Sequence, residues 1–308
     1  MTDQQQLRFD GRVAVITGGG RGLGRSYALL LASRGAKVVV NDPGVSLQGD
    51  GDDVGPAEAV VQEIRAAGGE AIANLDSVAT VEGATAMINA SVDNFGGIDI
   101  LIHNAGIVRR SPLSEMSDED FDSILDVHLR GGFYVVRAAL PHMQKANYGR
   151  IVLTGSINGL YGNFGVGHYS MAKAGLIGLS NVAALEGQEF GIKSNVILPG
   201  AVTRMAEGLD TSQYPPMEPE LVAPLVGWLA HESCSVSGEM YAAMAGRMAR
   251  AYAVESVGVY QPEWSIERVG ENIEAIRHSE TPVEFSTLPC GHVEHLKYSF
   301  AMASKENG

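Results

Sequence analysis

The 308-residue chain lacks the features that mark several protein classes. Its only cysteines, Cys234 and Cys290, are too few and too far apart in sequence for a disulfide framework or a zinc site. No uninterrupted apolar run approaches the roughly 18 residues of a membrane-spanning helix. We therefore expect no structural disulfide, no metal site and no membrane span.

Positive charge is scarce, with 22 Lys and Arg residues against 36 Asp and Glu residues and a formal net charge of −14. Nucleic acids and anionic membranes attract a basic field, so we expect neither as a partner. The first residues, TDQQQLRFDGR, contain no apolar signal-peptide core, and the final KENG matches no address signal. With the low cysteine count, these features predict a cytoplasmic protein.

Short apolar runs rich in β-branched residues alternate with longer segments of helical period. The runs cover residues 12–17, 37–41, 70–75, 98–103, 150–155 and 192–199, and the helical segments cover 22–33, 56–67, 80–94, 117–146 and 168–189. Strands buried on both faces by crossover helices produce this pattern. We predict an α/β fold with a single Rossmann-type, doubly wound parallel sheet and helices on both faces.

Two stretches depart from this alternation. Residues 43–56, PGVSLQGDGDDVGP, indicate a solvated loop after the second strand, and a metal site there is the alternative that the spacing does not favour. After about residue 247 the alternation stops, although a helical segment follows near 265–277. We predict a dinucleotide-binding and catalytic domain over 1–246. Residues 247–308 are expected to form a C-terminal extension, mainly helical or irregular, packed on the core or on a partner subunit.

The glycine-rich segment TGGGRGLG, residues 17–24, directly follows the first strand and opens the first helix. Glycines there permit a tight turn and close backbone approach, and free amides at the helix start can hold a pyrophosphate. A glycine motif alone is weak, because turns are glycine-rich in general. The candidate cofactor-binding residues are Gly18, Arg21, Gly22, Leu23 and Gly24.

Asp42 ends the second strand, 20 residues beyond Gly22. A carboxylate at this place can accept hydrogen bonds from an adenosine ribose and would repel a 2′-phosphate, so NAD is favoured over NADP. Arg21 argues the other way, because a guanidinium there could hold that phosphate. The simpler alternative is that Asp42 only starts the Pro-Gly turn that follows it.

Other polar residues follow the third and fourth strands. They are Asp76 and Ser77 after the third strand, and Asn104, Ala105 and Gly106 after the fourth. The carboxyl ends of parallel strands share one edge, where an open α/β sheet binds its ligand. We expect these five residues to contact the same cofactor.

Tyr169 and Lys173 lie four residues apart in the stretch HYSMAK, so on a helix they share a face. A nearby ammonium and an oxidised nicotinamide ring would both lower the pKa of a phenol, which is ordinarily about 10. The pair is thus either an accident of surface composition or a proton-transfer device. Ser156, at the end of the fifth strand, could orient a substrate oxygen, although serine there is more often a turn residue.

Taken together, TGxxxGxG, NAG, Ser156, the Tyr-xxx-Lys pair and a later Pro-Gly resemble the short-chain dehydrogenase/reductase family over roughly residues 8–245. The resemblance implies that Tyr169 is the catalytic acid/base. It also implies that Lys173 lowers the tyrosine pKa and holds the nicotinamide ribose, and that Ser156 orients the carbonyl. In NVILPGAVT, the resemblance places Pro199, Gly200 and Thr203 beside the nicotinamide.

One position departs from the usual family pattern, in which an asparagine supports a proton route from the lysine to solvent. HLRG, residues 128–131, has His128 there instead. A histidine could accept and donate on its two ring nitrogens, or it could simply pack in the core. HLRG is itself typical of the (3R)-hydroxyacyl-CoA dehydrogenase branch, which the longer stretches NYGRIVLTGSINGLYGNFG and ELVAPLVGWLAHES also resemble.

The resemblance implies a (3R)-3-hydroxyacyl-CoA as substrate and a homodimer or homotetramer. The short segment between Gly200 and a helix near Glu218 leaves little room for a lid, which favours a substrate with a bulky tail, an acyl-CoA or a sterol. Arg109, Arg110 and Arg204 are candidates to meet the CoA phosphates, although paired arginines are ordinarily a solvated face. Two alternatives remain open: a 17β-type hydroxysteroid dehydrogenase, and a nucleotide-binding sensor without catalysis.

Overall fold

Strands from the whole length of the first 251 residues form one sheet. The computed structural model describes residues 6–44, 46, 55–202 and 215–305. Within them the strands are β1 (Val13–Thr17), β2 (Lys37–Asn41), β3 (Glu70–Asn74), β4 (Ile100–His103), β5 (Gly149–Thr154), β6 (Ile192–Gly200), β7 (Met240–Met244) and β8 (Arg247–Ala251). Their order is β3-β2-β1-β4-β5-β6-β7-β8, and the pairs from β3 to β7 are parallel. The predicted doubly wound sheet is confirmed.

The helices alternate with the strands. Those of the described residues are α1 (Gly22–Ser33), α2 (Gly55–Ala66), α3 (Val81–Phe95), α4 (Asp118–Leu125), α5 (Gly131–Ala146), α6 (Asn158–Tyr161), α7 (Gly167–Gly187), α8 (Ala223–Ala230), α9 (Ile266–Arg277) and α10 (Gly291–Lys305). Short 3₁₀ turns cover 188–190 and 219–221. A π-helical turn, Asp126–Arg130, joins α4 to α5 within the predicted helical region 117–146.

Local sequence explains several helix ends. Thr80 and Ser117 stand immediately before α3 and α4, and their hydroxyls accept from the backbone N–H of Gly83 and Asp120. Such caps satisfy amides that have no partner within the helix. At the other end of α3, Gly96 adopts a left-handed conformation with φ 89°, which glycine reaches without strain.

Both faces of the sheet are covered. All residues of β1, β4 and β5 are buried, and α1 packs with α2 and α8 while α5 packs with α3 and α7. The two helix layers account for the near-continuous apolar strands. Because the strand order reverses between β1 and β4, a crevice opens at their carboxyl ends, beyond Thr17 and His103.

The chain splits into two compact units, Met1–Arg250 and Ala251–Gly308. The second unit contains α9 and α10 and an isolated antiparallel bridge between Glu255 and Val283. Inside this unit, the Ser256 hydroxyl donates to the carbonyl of Ile276, and the ring of Phe285 packs edge-on against the rings of His295 and Tyr298.

The described part of the chain contains neither a candidate membrane span nor a cluster of metal ligands. None of its helices is long and apolar enough to cross a bilayer. No three His, Cys, Asp or Glu residues within it are grouped so that they could hold a metal ion. Most of the 43–56 loop lies outside the described residues.

Candidate active site

The glycine-rich turn brings backbone close to backbone between β1 and α1. Gly18 and Gly22 have positive φ of 62° and 50°, which favours glycine. A side chain on Gly18 would place its Cβ 2.8 Å from the Cα atom of Ala105, and one on Gly24 would reach within 2.1 Å of the Gly18 carbonyl oxygen. These glycines therefore keep the turn tight and leave its outer surface bare.

The start of α1 fits a pyrophosphate. Arg21 precedes the helix in an extended conformation, with φ −146° and ψ 163°, and its side chain does not cap the helix. The first turn of α1 itself carries no acidic residue that would repel an anion. Amides at a helix start attract phosphate through hydrogen bonding and the helix dipole. The uncapped helix and the glycine cradle together suit a dinucleotide.

Thr17 joins the glycine turn to the NAG segment. Its hydroxyl oxygen accepts from the backbone N–H groups of Asn104 and Ala105, each at 3.0 Å. The Asn104 amide in turn donates to the carbonyl oxygen of Gly18 at 3.1 Å. These bonds hold the ends of β1 and β4 side by side.

His103, the last residue of β4, is a buried contributor that the sequence reasoning missed. Its Nδ1 lies 3.0 Å from the Thr17 hydroxyl, and its Nε2 lies 3.2 Å from the carbonyl oxygen of His128. Since the Thr17 oxygen already accepts two N–H groups, its own hydrogen goes to Nδ1, and Nε2–H donates to the carbonyl. Burial and the nearby Lys173 lower the pKa of His103 to about 3, so the ring is neutral.

Asp42 accepts hydrogen bonds on both of its carboxylate oxygens. One carboxylate oxygen accepts from the Gly20 N–H at 3.1 Å, and the other accepts from the Gly44 N–H at 2.9 Å. The second bond is the local turn that the simpler interpretation expects, while the first ties Asp42 to the glycine-rich turn. Asp42 is 7% exposed.

Asp76 and Ser77 follow β3 in different surroundings. Asp76 is half-buried, and its carboxylate accepts from the Asn74 side-chain amide at 2.7 Å. Ser77 is exposed, and its hydroxyl accepts from the Ala79 N–H at 3.2 Å, a local turn bond. The structure thus orients the Asp76 side chain and leaves Ser77 at the surface.

Ser156, Tyr169 and Lys173 are brought together by β5 and α7. The Ser156 hydroxyl accepts from the Asn158 N–H at 3.1 Å and hydrogen-bonds the Tyr169 phenol. The Lys173 ammonium lies 5.6 Å from the centroid of the Tyr169 ring. The spacing in HYSMAK therefore does place the phenol and the ammonium on one face of a helix.

Lys173 is almost completely buried, at 2% exposure, and its ammonium donates to the carbonyl oxygen of Thr154 at 2.6 Å. Burial lowers its pKa to about 7. Tyr169 behaves differently from the expectation: burial raises its pKa, and the hydrogen bond from Ser156 opposes this only in part. In the protein alone, desolvation of the phenol outweighs stabilisation of its anion, so Tyr169 is a neutral phenol near pH 7.

His128 lies in the π-helical turn beside the tyrosine. Its ring meets the Tyr169 ring edge-on, with centroids 5.1 Å apart at 84°, and its Nε2 lies 2.8 Å from the carbonyl oxygen and 3.1 Å from the amide nitrogen of Ile107. Its buried Nδ1 finds no partner among the described residues. A Cβ on Gly106 would sit 2.5 Å from the ring, so this close packing requires the glycine of the NAG segment.

Burial and the Lys173 charge lower the pKa of His128 well below its usual range. A neutral ring that contacts the Ile107 backbone fits the packing alternative, and the same ring contacts Tyr169. His168 was not anticipated: its buried ring accepts from the Tyr169 N–H at 2.9 Å and holds the start of α7.

The remaining candidates divide into three pairs. Pro199 and Gly200 end β6, and a Cβ on Gly200 would meet the Met244 side chain at 2.2 Å. Thr203 and Arg204 lie outside the described residues. Arg109 pairs with Asp120 at 2.7 Å, whereas Arg110 is exposed.

Comparison with known proteins gives consistent matches. The profile of the family described as short chain dehydrogenase matches residues 12–213. The chain is 49% identical over 254 residues to Peroxisomal multifunctional enzyme type 2 of Drosophila melanogaster, covering 82% of this chain and 42% of that protein. It is 40% identical over 252 residues to Hydroxyacyl-CoA dehydrogenase ChsB1 of Mycobacterium tuberculosis, covering 76% and 77%.

A solved structure of a short chain dehydrogenase from Mycobacterium avium superposes with a TM-score of 0.78 at 39% identity, covering 89% of this chain and 98% of that one. The chain spans less than half the length of the Drosophila protein. The likeness to that protein is therefore a likeness to one part of it.

Proposed function

The chain belongs to the short chain dehydrogenase family, as its motifs predicted, and on this premise we propose that it transfers a hydride between NAD and a (3R)-3-hydroxyacyl-CoA. The observation that carries the proposal is the cluster of Ser156, Tyr169 and Lys173. The His128 ring packs against both Tyr169 and Gly106, so this cluster lies beside the NAG segment and the crevice between β1 and β4.

The residues of the chain have separate tasks in this proposal. NAD, when bound, supplies the acceptor for the hydride that leaves the carbinol carbon. Ser156 donates a hydrogen bond to the substrate oxygen and stabilises the charge that develops on it. Tyr169 exchanges the hydroxyl proton with the same oxygen.

The protonation state of Tyr169 decides whether it acts as an acid or as a base. The raised pKa of the phenol favours the neutral form, which donates a proton when a ketone is reduced. Oxidation requires the phenolate, which Lys173 stabilises in its protonated form, with its nitrogen 5.6 Å from the centre of the ring. Because the Thr154 carbonyl fixes the ammonium, Lys173 acts from a constant position.

NAD is proposed over NADP on the carboxylate of Asp42. This group accepts hydrogen bonds from the Gly20 and Gly44 amides, which orient its charge at the end of β2. A 2′-phosphate placed there would meet that charge. Arg21 is the opposing feature, since it stands at the helix start and could receive the phosphate.

The acyl-CoA substrate is proposed from the branch resemblance and from the name of the Mycobacterium tuberculosis relative. Arg110 is the exposed cation next to the NAG segment that could meet a CoA phosphate, because Arg109 is paired with Asp120. A hydroxysteroid remains the second candidate, since the same cluster would act on any bulky secondary alcohol. The catalytic cluster argues against a non-catalytic sensor.

We also propose a homodimer or homotetramer in the cytoplasm, on the family resemblance and on two free cysteines, Cys234 and Cys290. Light scattering that gives a monomer would contradict the first part.

One assay tests the function. Purified protein is incubated with NAD and, separately, with a (3R)-3-hydroxyacyl-CoA, its (3S) enantiomer and a 17β-hydroxysteroid, while NADH absorbance is followed. The proposal predicts turnover of the (3R) thioester above the other two. Turnover of the steroid with no oxidation of either thioester would replace the substrate assignment, and no turnover with any secondary alcohol would overturn the enzyme assignment.

A further inference from the structure

Two buried asparagines link the strand ends that carry Asp42 and Asp76. Asn41 is the last residue of β2 and Asn74 the last of β3, and they pair directly across the parallel ladder. Their exposed fractions are 0% and 9%. Buried amides at adjacent strand ends are costly unless they are hydrogen-bonded.

The Asn41 side chain donates to three oxygens of the neighbouring strand end. Its Nδ2 lies 2.8 Å from the Asn74 Oδ1, 2.8 Å from the Asp76 carbonyl oxygen and 3.3 Å from the Asn74 carbonyl oxygen. Rotating the amide would set its oxygen against these acceptors, so the orientation is fixed. Its Oδ1 is left buried without a partner among the described residues.

The Asn74 side chain in turn holds Asp76 through two hydrogen bonds. Its Nδ2 donates to the Asp76 carboxylate at 2.7 Å, and its Oδ1 accepts from the Asp76 N–H at 3.2 Å. The backbone contributes as well, because the Asp42 N–H donates to the Asn74 carbonyl at 3.0 Å. The same asparagine is therefore bonded to the backbone of Asp42 and to the side chain of Asp76.

An unsatisfied buried oxygen on Asn41 costs stability, and an apolar side chain of similar size would avoid that cost. What the asparagine adds is a donor aimed at the Asn74–Asp76 segment. The arrangement therefore serves the placement of Asp76 relative to Asp42 rather than the core.

We propose that Asn41 and Asn74 are positioning residues that fix the separation and orientation of the Asp42 and Asp76 carboxylates, and so set the affinity for the adenosine half of the dinucleotide. This inference rests on the proposed NAD site. It assigns no chemical step to the two asparagines, so their loss acts on coenzyme binding and leaves the chemistry at Tyr169 in place.

The substitution Asn74→Asp tests the pair with almost no change in shape. The new carboxylate still accepts from Asn41, but its second oxygen faces the Asp76 carboxylate, where a donor used to be. Two facing carboxylates repel unless they share a proton. The other carboxylate at this edge, Asp42, is held by the Gly20 and Gly44 amides and is present in both proteins.

We expect the Kd for ADP-ribose at pH 8 to rise about tenfold or more in Asn74→Asp, and to fall back toward the parent value as the pH is lowered to about 5.5. The KM for NAD should rise in parallel at pH 8, while kcat at saturating NAD stays within about twofold. Affinity for nicotinamide mononucleotide, which has no adenosine, should not change.

Two further variants keep the result interpretable. Asn94→Asp, on the exposed face of α3, introduces the same charge away from the site and should match the parent. Asn41→Ala, checked for folding by circular dichroism, should weaken ADP-ribose binding without the pH response, since it creates no carboxylate pair. Should Asn74→Asp fail to fold, Asn41→Ala alone decides: a folded variant with parental ADP-ribose affinity overturns the proposal.

The outcomes separate this inference from the function. A parent protein that binds neither ADP-ribose nor NAD would remove the proposed coenzyme itself. A parent that binds both, with a folded Asn74→Asp of equal affinity at pH 8 or a kcat that falls instead of the affinity, would overturn the positioning role and leave the dehydrogenase assignment standing.

Discussion

The ammonium of Lys173 lies 5.6 Å from the centre of the Tyr169 ring, and a hydrogen bond to the Thr154 carbonyl oxygen, 2.6 Å long, holds it there. The relationship joins two elements, because Thr154 ends β5 while Lys173 and Tyr169 lie on α7. The sheet therefore supplies the anchor for the helix-borne pair. Any change at one partner should be felt at the other.

Replacing the tyrosine tests the chemistry most directly. Tyr169→Phe removes the group that exchanges the proton and leaves the glycine turn untouched, so we expect kcat to fall by about 100-fold or more with unchanged NAD affinity. Steady-state rates and NAD titration by fluorescence measure the two quantities. Tyr161→Phe, at a tyrosine that is 81% exposed, is the matched control. Activity of Tyr169→Phe within tenfold of the parent would refute the assignment.

The choice of coenzyme should depend on the charge of Asp42. Asp42→Ala removes the repulsion of a 2′-phosphate, so we expect the ratio of kcat/KM with NAD to kcat/KM with NADP to fall by about tenfold or more. The variant also loses the bonds to Gly20 and Gly44, which weakens both coenzymes alike. The ratio cancels that common loss. An unchanged ratio means that Asp42 does not select the coenzyme. Asp93→Ala, at an exposed position of α3, controls for the lost negative charge.

The strands that the sequence predicts well are those that are buried on both faces of the sheet. The strands β1 to β6 were predicted to within about two residues because both faces are covered, which gives apolar runs. The pair β7 and β8 was missed. Its residues MYAAM and RMARA are largely half-buried or exposed and carry no clear alternation, and the turn between them uses Ala245 and Gly246 at positive φ.

The site divides in a similar way. Tyr169 and Lys173 follow from spacing along one helix, so the sequence alone brings them together. Asn41 and Asn74 meet only through the register of two strands, and Thr17 meets His103 only because β1 and β4 are neighbours. No spacing along the chain encodes those contacts. The prediction of a lowered Tyr169 pKa was wrong for the protein without coenzyme. The sequence shows which residues carry charge but not how deeply the phenol is buried.

Because Lys173 is buried, its positive charge should lower the free energy of unfolding. The pKa falls from 10.5 to about 7 on folding, so the unfolded chain binds more protons between these values, and the penalty is largest below pH 7 and vanishes as pH rises past 10.5. Lys173→Met removes the charge but also the bond to Thr154. We expect it to raise the free energy of unfolding by about 1–3 kcal/mol at pH 6, and by less at pH 9.

Denaturant unfolding at the two pH values measures this difference. Lys145→Met, at an exposed lysine of α5, should show no such pH trend. If the increase in the free energy of unfolding of Lys173→Met is larger at pH 9 than at pH 6, the ammonium is not desolvated in the folded protein. The same variant should be inactive, so that stability and turnover change in opposite directions.

We expect Arg110 to contact a phosphate in the CoA part of the substrate. This exposed guanidinium follows the NAG segment, and its neighbour Arg109 is held by Asp120. If it meets a CoA phosphate, Arg110→Ala should lower kcat/KM for the CoA thioester by about threefold to tenfold at low salt, and less at high salt, because salt screens an exposed pair. The pantetheine thioester of the same acid lacks the nucleotide phosphates, and its kcat/KM should not change. Lys145→Ala removes one positive charge elsewhere and should leave both substrates unaffected. An equal loss of kcat/KM with both thioesters would mean that Arg110 acts on the acyl group or on the fold. No loss with either thioester would mean that Arg110 does not contact the CoA phosphates.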